Sequence, residues 1–276
     1  MRLILLTILT MCAFAANSVL TRAAVDGGHL DAMSFSVVRV AAGAAILGAI
    51  SMWRGISLPL LRKVRLPGAI SLTAYMIGFS LAYLTLDAGL GALILFGVTQ
   101  ITMFAHSSVT GQPPTMRQLS GAGLAFAGLV LVLWPGPESV TDPLGAVFMV
   151  IAGLGWAVYS IIGRREADPL AATGASFILC LPIMLLTLIG HQINGSVVGF
   201  ALAIASGAVM SGLGYALWYS VLTQMRGTTA AVVQLSVPVI AIVAGAVLLG
   251  EAVQPIVVVA AALVLGGIGW AVTAKR

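Results

Sequence analysis

The sequence predicts an all-α membrane protein in which ten transmembrane helices form two inverted five-helix repeats around a central cavity. Three observations support this prediction: long stretches without charge, basic residues concentrated in alternate connections, and similarity between the two halves of the chain. Only 8% of the residues are charged, and the mean hydropathy is +1.11. This composition excludes a soluble globular fold and leaves almost no soluble mass for an enzyme domain.

The charge-free stretches define the spans in order. A helix needs about 20 predominantly apolar residues to cross the hydrocarbon core of a bilayer. Segment 32–53 is interrupted only by Arg39, and segment 169–225 is long enough for two spans with a turn at 191–196. Counted this way, ten spans lie in segments 3–21, 32–53, 66–86, 88–116, 118–137, 143–163, 169–225, 227–250 and 252–274.

The N-terminus also imitates a secretory signal peptide. Arg2 precedes an apolar core, and Ala13-Phe14-Ala15 matches an A-x-A cleavage pattern. Cleavage would leave nine spans and would set the basic cluster at 54–65 at odds with the other loops. We therefore expect this segment to remain as the first span.

The basic residues predict the orientation. One set of alternate connections and termini carries 11 of the 13 basic residues, and six of the eight acids fall on the opposite side. Because basic residues stay preferentially in the cytoplasm, both termini are expected to be cytoplasmic, in a bacterial inner membrane. The net charge of +5 then reflects topology, and no nucleic-acid partner is expected.

The two halves, 1–137 and 138–276, resemble each other. Residues 14–22 in span 1 align with 156–164 in span 6, matching aromatic, Ala, Ser and Arg positions at one offset. Each half has an odd number of spans, so the second enters the membrane upside down. Inverted repeats are typical of secondary carriers, which bind their substrate between the halves near the middle of the membrane.

The chain resembles the drug/metabolite transporter superfamily, specifically its ten-helix EamA-type exporters of amino acids and other metabolites. The resemblance covers essentially the whole chain. It rests on Phe14-x-x-Asn17 followed by Arg22, on Arg39, on the similar stretches 83–100 and 219–238, and on Gly250-Glu251. Asp31, Gln100 and Gly111-Gln112 depart from the family pattern. The resemblance implies one central cavity lined by both halves and transport in the direction of export.

Aromatic residues at helical spacing are the main candidates for the substrate site. Spans 1, 3, 6 and 8 each place rings on one face or deep in the membrane, where a phenol or indole N–H needs a polar partner. An interfacial belt or packing against lipid is the alternative. The candidates are Phe14, Tyr75, Phe79, Trp156, Tyr159, Tyr215 and Trp218.

Amides and prolines within the spans form a second group. Asn17 and Gln234 either bridge helices or bind a zwitterionic or polyol substrate. Pro238 lies one turn after Gln234 and frees a backbone carbonyl, and Pro182 has the same effect in span 7. The two prolines are assigned structural or gating roles.

Two arginines are also assigned gating or structural roles. Arg39 lies within span 2, about two turns from the outer end, where it could snorkel to the interface, bind carbonyls or attract a carboxylate substrate. Arg22 ends span 1, with Asp26, Asp31 and Asp87 nearby in the topology as ion-pair partners.

No Asp or Glu lies deep in any span. Proton-coupled carriers commonly keep such a carboxylate, so a facilitative exporter of neutral or zwitterionic metabolites, including aromatic amino acids, is favoured. The alternatives are an integral membrane enzyme acting on lipid-linked substrates and a passive channel. No catalytic residue, metal or cofactor is expected. The expected partners are the small substrate and membrane lipid, with the chain a monomer or a loose dimer.

Overall fold

The computed structural model describes residues 2–63, 65–110, 115–134, 141–163, 168–190, 192–222, 224 and 233–273. Within these ranges the chain forms ten helices, two of which contain a π-helical segment. They are α1 Arg2–Val25, α2 Ala32–Trp53, α3 Arg65–Ala82, α4 Ala88–Thr110, α5 Met116–Leu133, α6 Pro143–Gly163, α7 Pro169–Leu186, α8 (Val197–Ile204, π-helical Ala205–Leu213, Gly214–Leu222), α9 (Ser236–Ala244, π-helical Gly245–Leu249) and α10 Pro255–Val272.

Six of these helices, α1, α2, α4, α5, α6 and α8, are long and apolar enough to cross a membrane. Helices α7, α9 and α10 contain shorter apolar segments. The predicted all-helical membrane fold with ten helices is confirmed.

Side chains at the helix ends explain where several helices begin. The Asp31 Oδ1 accepts a hydrogen bond from the Ser34 backbone N at 2.9 Å and caps α2. Thr115 and Gln118 form a reciprocal capping box at α5. The side chains of Asp168 and Ser196 cap α7 and α8 by accepting hydrogen bonds from the backbone N of Ala171 and Gly199. These caps satisfy backbone N–H groups that would otherwise lack partners in an apolar environment.

The helices pack in a regular set of pairs. Helix α5 packs on α10, α2 on α7 and α4 on α9; in addition, α3 packs on α6 and α7, α8 on α1 and α2, α4 on α6, and α9 on α1. For these pairs, exchanging every helix with the one five places away in the order returns the same set, whereas the contacts of α4 with α1, α5 and α10 have no counterpart of similar extent among the described residues. An inverted repeat would produce this pattern, although the inversion itself stays a prediction.

Two glycines bring the helices around the centre close together. A Cβ atom on Gly155 in α6 would lie 2.8 Å from the Tyr75 backbone N in α3. A Cβ on Gly207 in α8 would overlap the carbonyl oxygen of Arg39 in α2. Small residues at such crossings are what allow membrane helices to pack backbone to backbone. Here they bring Trp156 in α6 against Tyr75 in α3, and Arg39 in α2 against Ser211 in α8.

Candidate functional site in the centre of the bundle

Aromatic side chains from four helices meet at the centre of the bundle. Trp156 in α6 lies in their middle, with its ring centroid 5.0 Å from both Tyr75 in α3 and Tyr215 in α8. It is also 5.6 Å from Tyr159 and 6.2 Å from Phe14. We define the central aromatic cluster as the seven predicted ring residues, all of them buried: Phe14, Tyr75, Phe79, Trp156, Tyr159, Tyr215 and Trp218.

The cluster extends in two directions from Trp156. Phe14 in α1 approaches Tyr215 edge-on at 5.7 Å and Trp218 at 5.8 Å. On α3, Phe79 lies 5.3 Å from Tyr75. Tilted and edge-on arrangements at these separations are the favourable geometries for aromatic pairs. The rings therefore form a continuous apolar surface with hydroxyl and indole N–H groups at intervals.

A small cavity lies inside the cluster and is lined by both halves of the chain. Its free space is close to what a single water molecule needs. An amino acid is several times larger, so the rings must separate before one can enter. The lining residues are Phe14, Asn17, Ser18, Tyr75, Phe79, Leu95, Phe96, Trp156 and Tyr215.

The remaining candidates lie around this cavity. Tyr159 and Trp218 pack behind Trp156 and Phe14 and are not among the lining residues. Gln234 is half-buried and also lies outside the lining. Pro238 is buried in the first turn of α9, whereas Pro182 lies within α7 on its exposed side. Binding roles for Tyr159, Trp218 and Gln234, and gating roles for the two prolines, stay predictions.

Asn17 belongs to a polar network with the π-helical part of α8. Its Oδ1 accepts hydrogen bonds from the Ser206 Oγ at 2.7 Å and the Ser211 Oγ at 3.4 Å. The Ser211 Oγ in turn accepts a hydrogen bond from the Arg39 Nε at 3.1 Å. Sequence reasoning missed both serines.

Arg39 is fully buried, so the interpretation that it snorkels to the membrane interface is wrong. Its Nη2 donates a hydrogen bond to the Tyr75 hydroxyl at 3.0 Å. Its Cζ lies 4.9 Å from the centroid of the Phe79 ring and 5.4 Å from that of Tyr75. These are cation–π distances. Arg39 thus lies directly behind two residues that line the cavity.

Arg22 lies in a separate cluster of charges at one end of the bundle. Its guanidinium is 3.1 Å from Asp26, 3.6 Å from Asp87 and 3.6 Å from Glu251, and it donates a hydrogen bond to the Tyr83 carbonyl at 3.1 Å. We call these four charged residues, Arg22, Asp26, Asp87 and Glu251, the Arg22 cluster. Glu251 is a partner that the sequence did not suggest, and Asp31, expected among the partners, caps α2.

Tyr83 connects the Arg22 cluster to the central aromatic cluster. Its ring is fully buried and packs edge-on against Phe79 at a centroid distance of 4.8 Å. Its hydroxyl donates a hydrogen bond to the Ala88 carbonyl at 3.2 Å. The ring therefore does not belong to a lipid-facing aromatic belt. It covers the end of the cluster that lies toward Arg22.

Comparison with known proteins identifies the family. The EamA-like transporter family matches residues 1–134 and 143–273, which together make up nearly the whole chain. The chain belongs to this family. The resemblance seen in the sequence is confirmed, and because family members are transporters, the membrane-enzyme alternative does not hold. This EamA-family chain is a multi-pass membrane transporter.

Individual relatives agree with this assignment. An uncharacterized protein of Pseudomonas aeruginosa is 42% identical over 97% of this chain and 93% of its own. An uncharacterized transporter of Archaeoglobus fulgidus is 25% identical over 85% of this chain and 84% of its own. A probable terminal-alkyne amino-acid exporter of Streptantibioticus cattleyicolor is 23% identical over 95% of this chain and 90% of its own.

A solved crystal structure shares the fold. Its chain is 21% identical in sequence and superposes with a TM-score of 0.69 over 96% of both chains. The arrangement of the ten helices therefore also occurs in another protein of known structure.

Proposed function

We propose that this EamA-family transporter exports small neutral or zwitterionic metabolites, including aromatic amino acids, across a bacterial inner membrane. The proposed mechanism is facilitative alternating access, with both termini in the cytoplasm. The observation that carries the proposal is the central aromatic cluster, whose cavity is lined by α1, α3 and α4 from one half and α6 and α8 from the other. A site between two halves is the arrangement that alternating access requires.

The chemistry of the cavity suits a cargo with an apolar or aromatic side chain. Rings of Phe14, Tyr75, Trp156 and Tyr215 offer faces and edges on which such a group can stack. Asn17 and Ser18 supply polar atoms at the same wall. A cargo that is polar at one end and apolar at the other meets both kinds of surface.

The packing of the helices supports movement of one half against the other. The main helix pairs, such as α3 with α6 and α8 with α1, map onto one another when each helix is exchanged with the one five places along the order, as expected if the two halves share one fold. The Arg22 cluster joins α1, the residue before α4 and the second residue after the end of α9. Opening this cluster would give access to the cavity from one side only.

A facilitative mechanism is supported by the positions of the acids. All eight Asp and Glu residues lie outside the apolar spans. A carboxylate that exchanges a proton for substrate would need to reach the cavity, and the described lining contains none. The cargo gradient then supplies the driving force. The Streptantibioticus relative, a probable terminal-alkyne amino-acid exporter, is in keeping with this cargo class.

Counterflow in proteoliposomes tests the proposal. Vesicles loaded with unlabelled phenylalanine should accumulate labelled phenylalanine without a pH gradient, and Tyr75→Ala and Trp156→Ala should abolish this exchange. Trp53→Ala is a matched control, because Trp53 is 85% exposed at the end of α2. A panel of neutral amino acids, a nucleoside and an organic cation defines the cargo range. Exchange that requires a proton gradient would overturn the facilitative mechanism, and no exchange of any amino acid would overturn the cargo class.

A further inference from the structure

We propose that Arg39 binds the carboxylate of the cargo after the rings of Tyr75 and Phe79 move aside, which makes a carboxylate a requirement for transport. This inference rests on the proposed function and narrows its cargo class. It assigns to Arg39 a binding role in addition to the structural or gating role expected from the sequence.

The first argument is the hydrogen-bond inventory of the guanidinium. An arginine side chain has five N–H donors. Arg39 uses its Nε toward Ser211 and its Nη2 toward Tyr75. Its Nη1 is buried and has no hydrogen-bond partner among the described residues. Both partners that it has are neutral hydroxyls, so the group retains donors for an anion.

The second argument is charge. Among the described residues, three carboxylates lie within 4 Å of Arg22, but none lies within 4 Å of Arg39. A fully buried cation without a counter-ion is costly in a membrane protein, and such groups mark substrate pathways. A cargo carboxylate would supply the missing charge. The fork of an arginine can hold both oxygens of a carboxylate at once.

The third argument is position. Tyr75 and Phe79 lie one turn apart on α3, and each contacts Arg39 on one side and the cavity on the other. The cavity is too small for a cargo unless such rings move. Movement of these two rings would enlarge the cavity and uncover Arg39 at the same time. The two residues thus act as a cover between the cation and the substrate space.

The fourth argument concerns orientation. The residues that line the cavity carry no charge, and two of them, Tyr75 and Phe79, contact Arg39. Arg39 therefore makes one side of the site positive. A zwitterion would bind with its carboxylate toward α2 and its side chain among the rings of the central aromatic cluster.

The competing explanation is that Arg39 only braces α2 against α3 and α8. The two roles differ in a measurable way. A brace affects every cargo equally, because it acts on the fold. A carboxylate site discriminates between an acid and its uncharged derivative, so the decisive quantity is a ratio of affinities within one protein preparation.

The test is competition against phenylalanine counterflow in proteoliposomes. Two matched pairs of competitors isolate the carboxylate: phenylalanine with phenylalaninamide, and 3-phenylpropanoate with 3-phenylpropanamide. In the wild-type protein each acid should compete about tenfold or more strongly than its amide, because a site built to bind a polar group rejects an analogue that lacks it. Arg39→Gln should bring both ratios close to one, and Arg39→Lys should keep a preference for the acids.

Controls separate this inference from folding and from the proposed function. Trp53→Ala, at the exposed end of the same helix as Arg39, should leave both ratios unchanged. If Arg39→Gln does not fold, the ratios of acid to amide competition in the wild-type and Arg39→Lys proteins still distinguish a carboxylate site from a structural brace. Equal competition by acid and amide in an active wild-type transporter would overturn the carboxylate site alone. Equal loss for all competitors in Arg39→Gln would show a brace, and absence of any counterflow would instead count against the proposed function.

Discussion

Arg22 in α1 and Glu251, which follows α9, face each other with Nε and Oε1 3.6 Å apart. The same carboxylate accepts hydrogen bonds from the Ala88 backbone N at 2.8 and 3.0 Å, at the first residue of α4. A Cβ on Gly245 would overlap its Oε2, so the glycine in the π-helical end of α9 makes room for it. One side chain thus joins three helices at one end of the bundle.

The pH should change the strength of this contact. Burial raises the pKa of Glu251 above its ordinary value of 4.5 and Asp87 raises it further, while the Ala88 N–H and Arg22 act in the opposite direction. The closed contact therefore binds a proton more readily than a state in which Glu251 is in water. The free energy that protonation of Glu251 contributes to the closed state is fully present below pH 4.5. It is lost as the pH rises through the raised pKa. Acidification toward pH 4.5 should therefore favour closure.

Labelling of a cysteine placed in the first turn of α4, next to the Arg22 cluster, measures this effect. Leu90 is buried in the first turn of α4, and Leu90→Cys would be made in a chain lacking Cys12 and Cys180. Its reaction with a membrane-impermeant maleimide should slow on acidification by more than the reagent's own pH dependence. Glu251→Gln imitates the protonated acid and should show only the reagent's dependence. Identical pH profiles in both proteins would show that Glu251 does not control access.

Removal of Arg22 should open the same end. Arg22→Gln would leave Asp26, Asp87 and Glu251 as three carboxylates without their shared cation, and like charges at close range repel. Labelling of the Leu90→Cys thiol is expected to become several times faster. The matched control is Arg54→Gln, since Arg54 is exposed after the end of α2. Unchanged labelling in Arg22→Gln would mean that apolar packing alone closes this end.

The sequence was sufficient for the fold because charge in hydrocarbon is so costly. Acids and bases could stand only between spans or in a buried, bonded position, so their spacing marked the ten helices. The aromatic spacing was equally informative. Tyr75 and Phe79, four residues apart, share a helical face, and the structure places them in one cluster with Trp156 and Tyr215.

The parts that sequence reasoning missed depend on local geometry and helix rotation. In an α-helix, residues five apart point about 140° away from each other, so Ser206 and Ser211 would not be expected to share a partner. The π-helical turn, with its i→i+5 hydrogen bonds, brings both hydroxyls to Asn17. Span length likewise could not tell whether Arg39 faced the interface or the interior, since that depends on how Gly207 lets α8 approach α2.

The contact between Asn17 and Ser206 should be measurable as a coupling energy. The 2.7 Å hydrogen bond joins α1 to α8, and polar contacts between membrane helices are worth about 0.6 kcal/mol on average and up to about 1.7. A double-mutant cycle of Asn17→Ala and Ser206→Ala, followed by unfolding in detergent, should give a coupling in this range. The control cycle combines Asn17→Ala with Ser36→Ala. The Ser36 hydroxyl donates a hydrogen bond to the Ala32 carbonyl in its own helix. Additive effects in both cycles would contradict the bond.

Gly207 should be far less tolerant of a methyl group than a glycine on the outer surface. In Gly207→Ala the new Cβ would overlap the Arg39 carbonyl oxygen, so α8 must move away from α2, and overpacking of this kind costs about 1–3 kcal/mol. Gly266 in α10 is a matched control because nothing lies within 4 Å of its Cβ position, and alanine there should stabilise the helix by up to about 1 kcal/mol.

Thermal unfolding in detergent should therefore shift down for Gly207→Ala and stay level or rise for Gly266→Ala. Because Ser211 and Arg39 would separate with the two helices, the Gly207→Ala protein should also lose counterflow activity, whereas Gly266→Ala should keep it. Equal unfolding temperatures for the two variants would show that α2 and α8 do not depend on their backbone contact. Reduced activity at unchanged stability would instead place the effect on the Arg39–Ser211–Asn17 network itself.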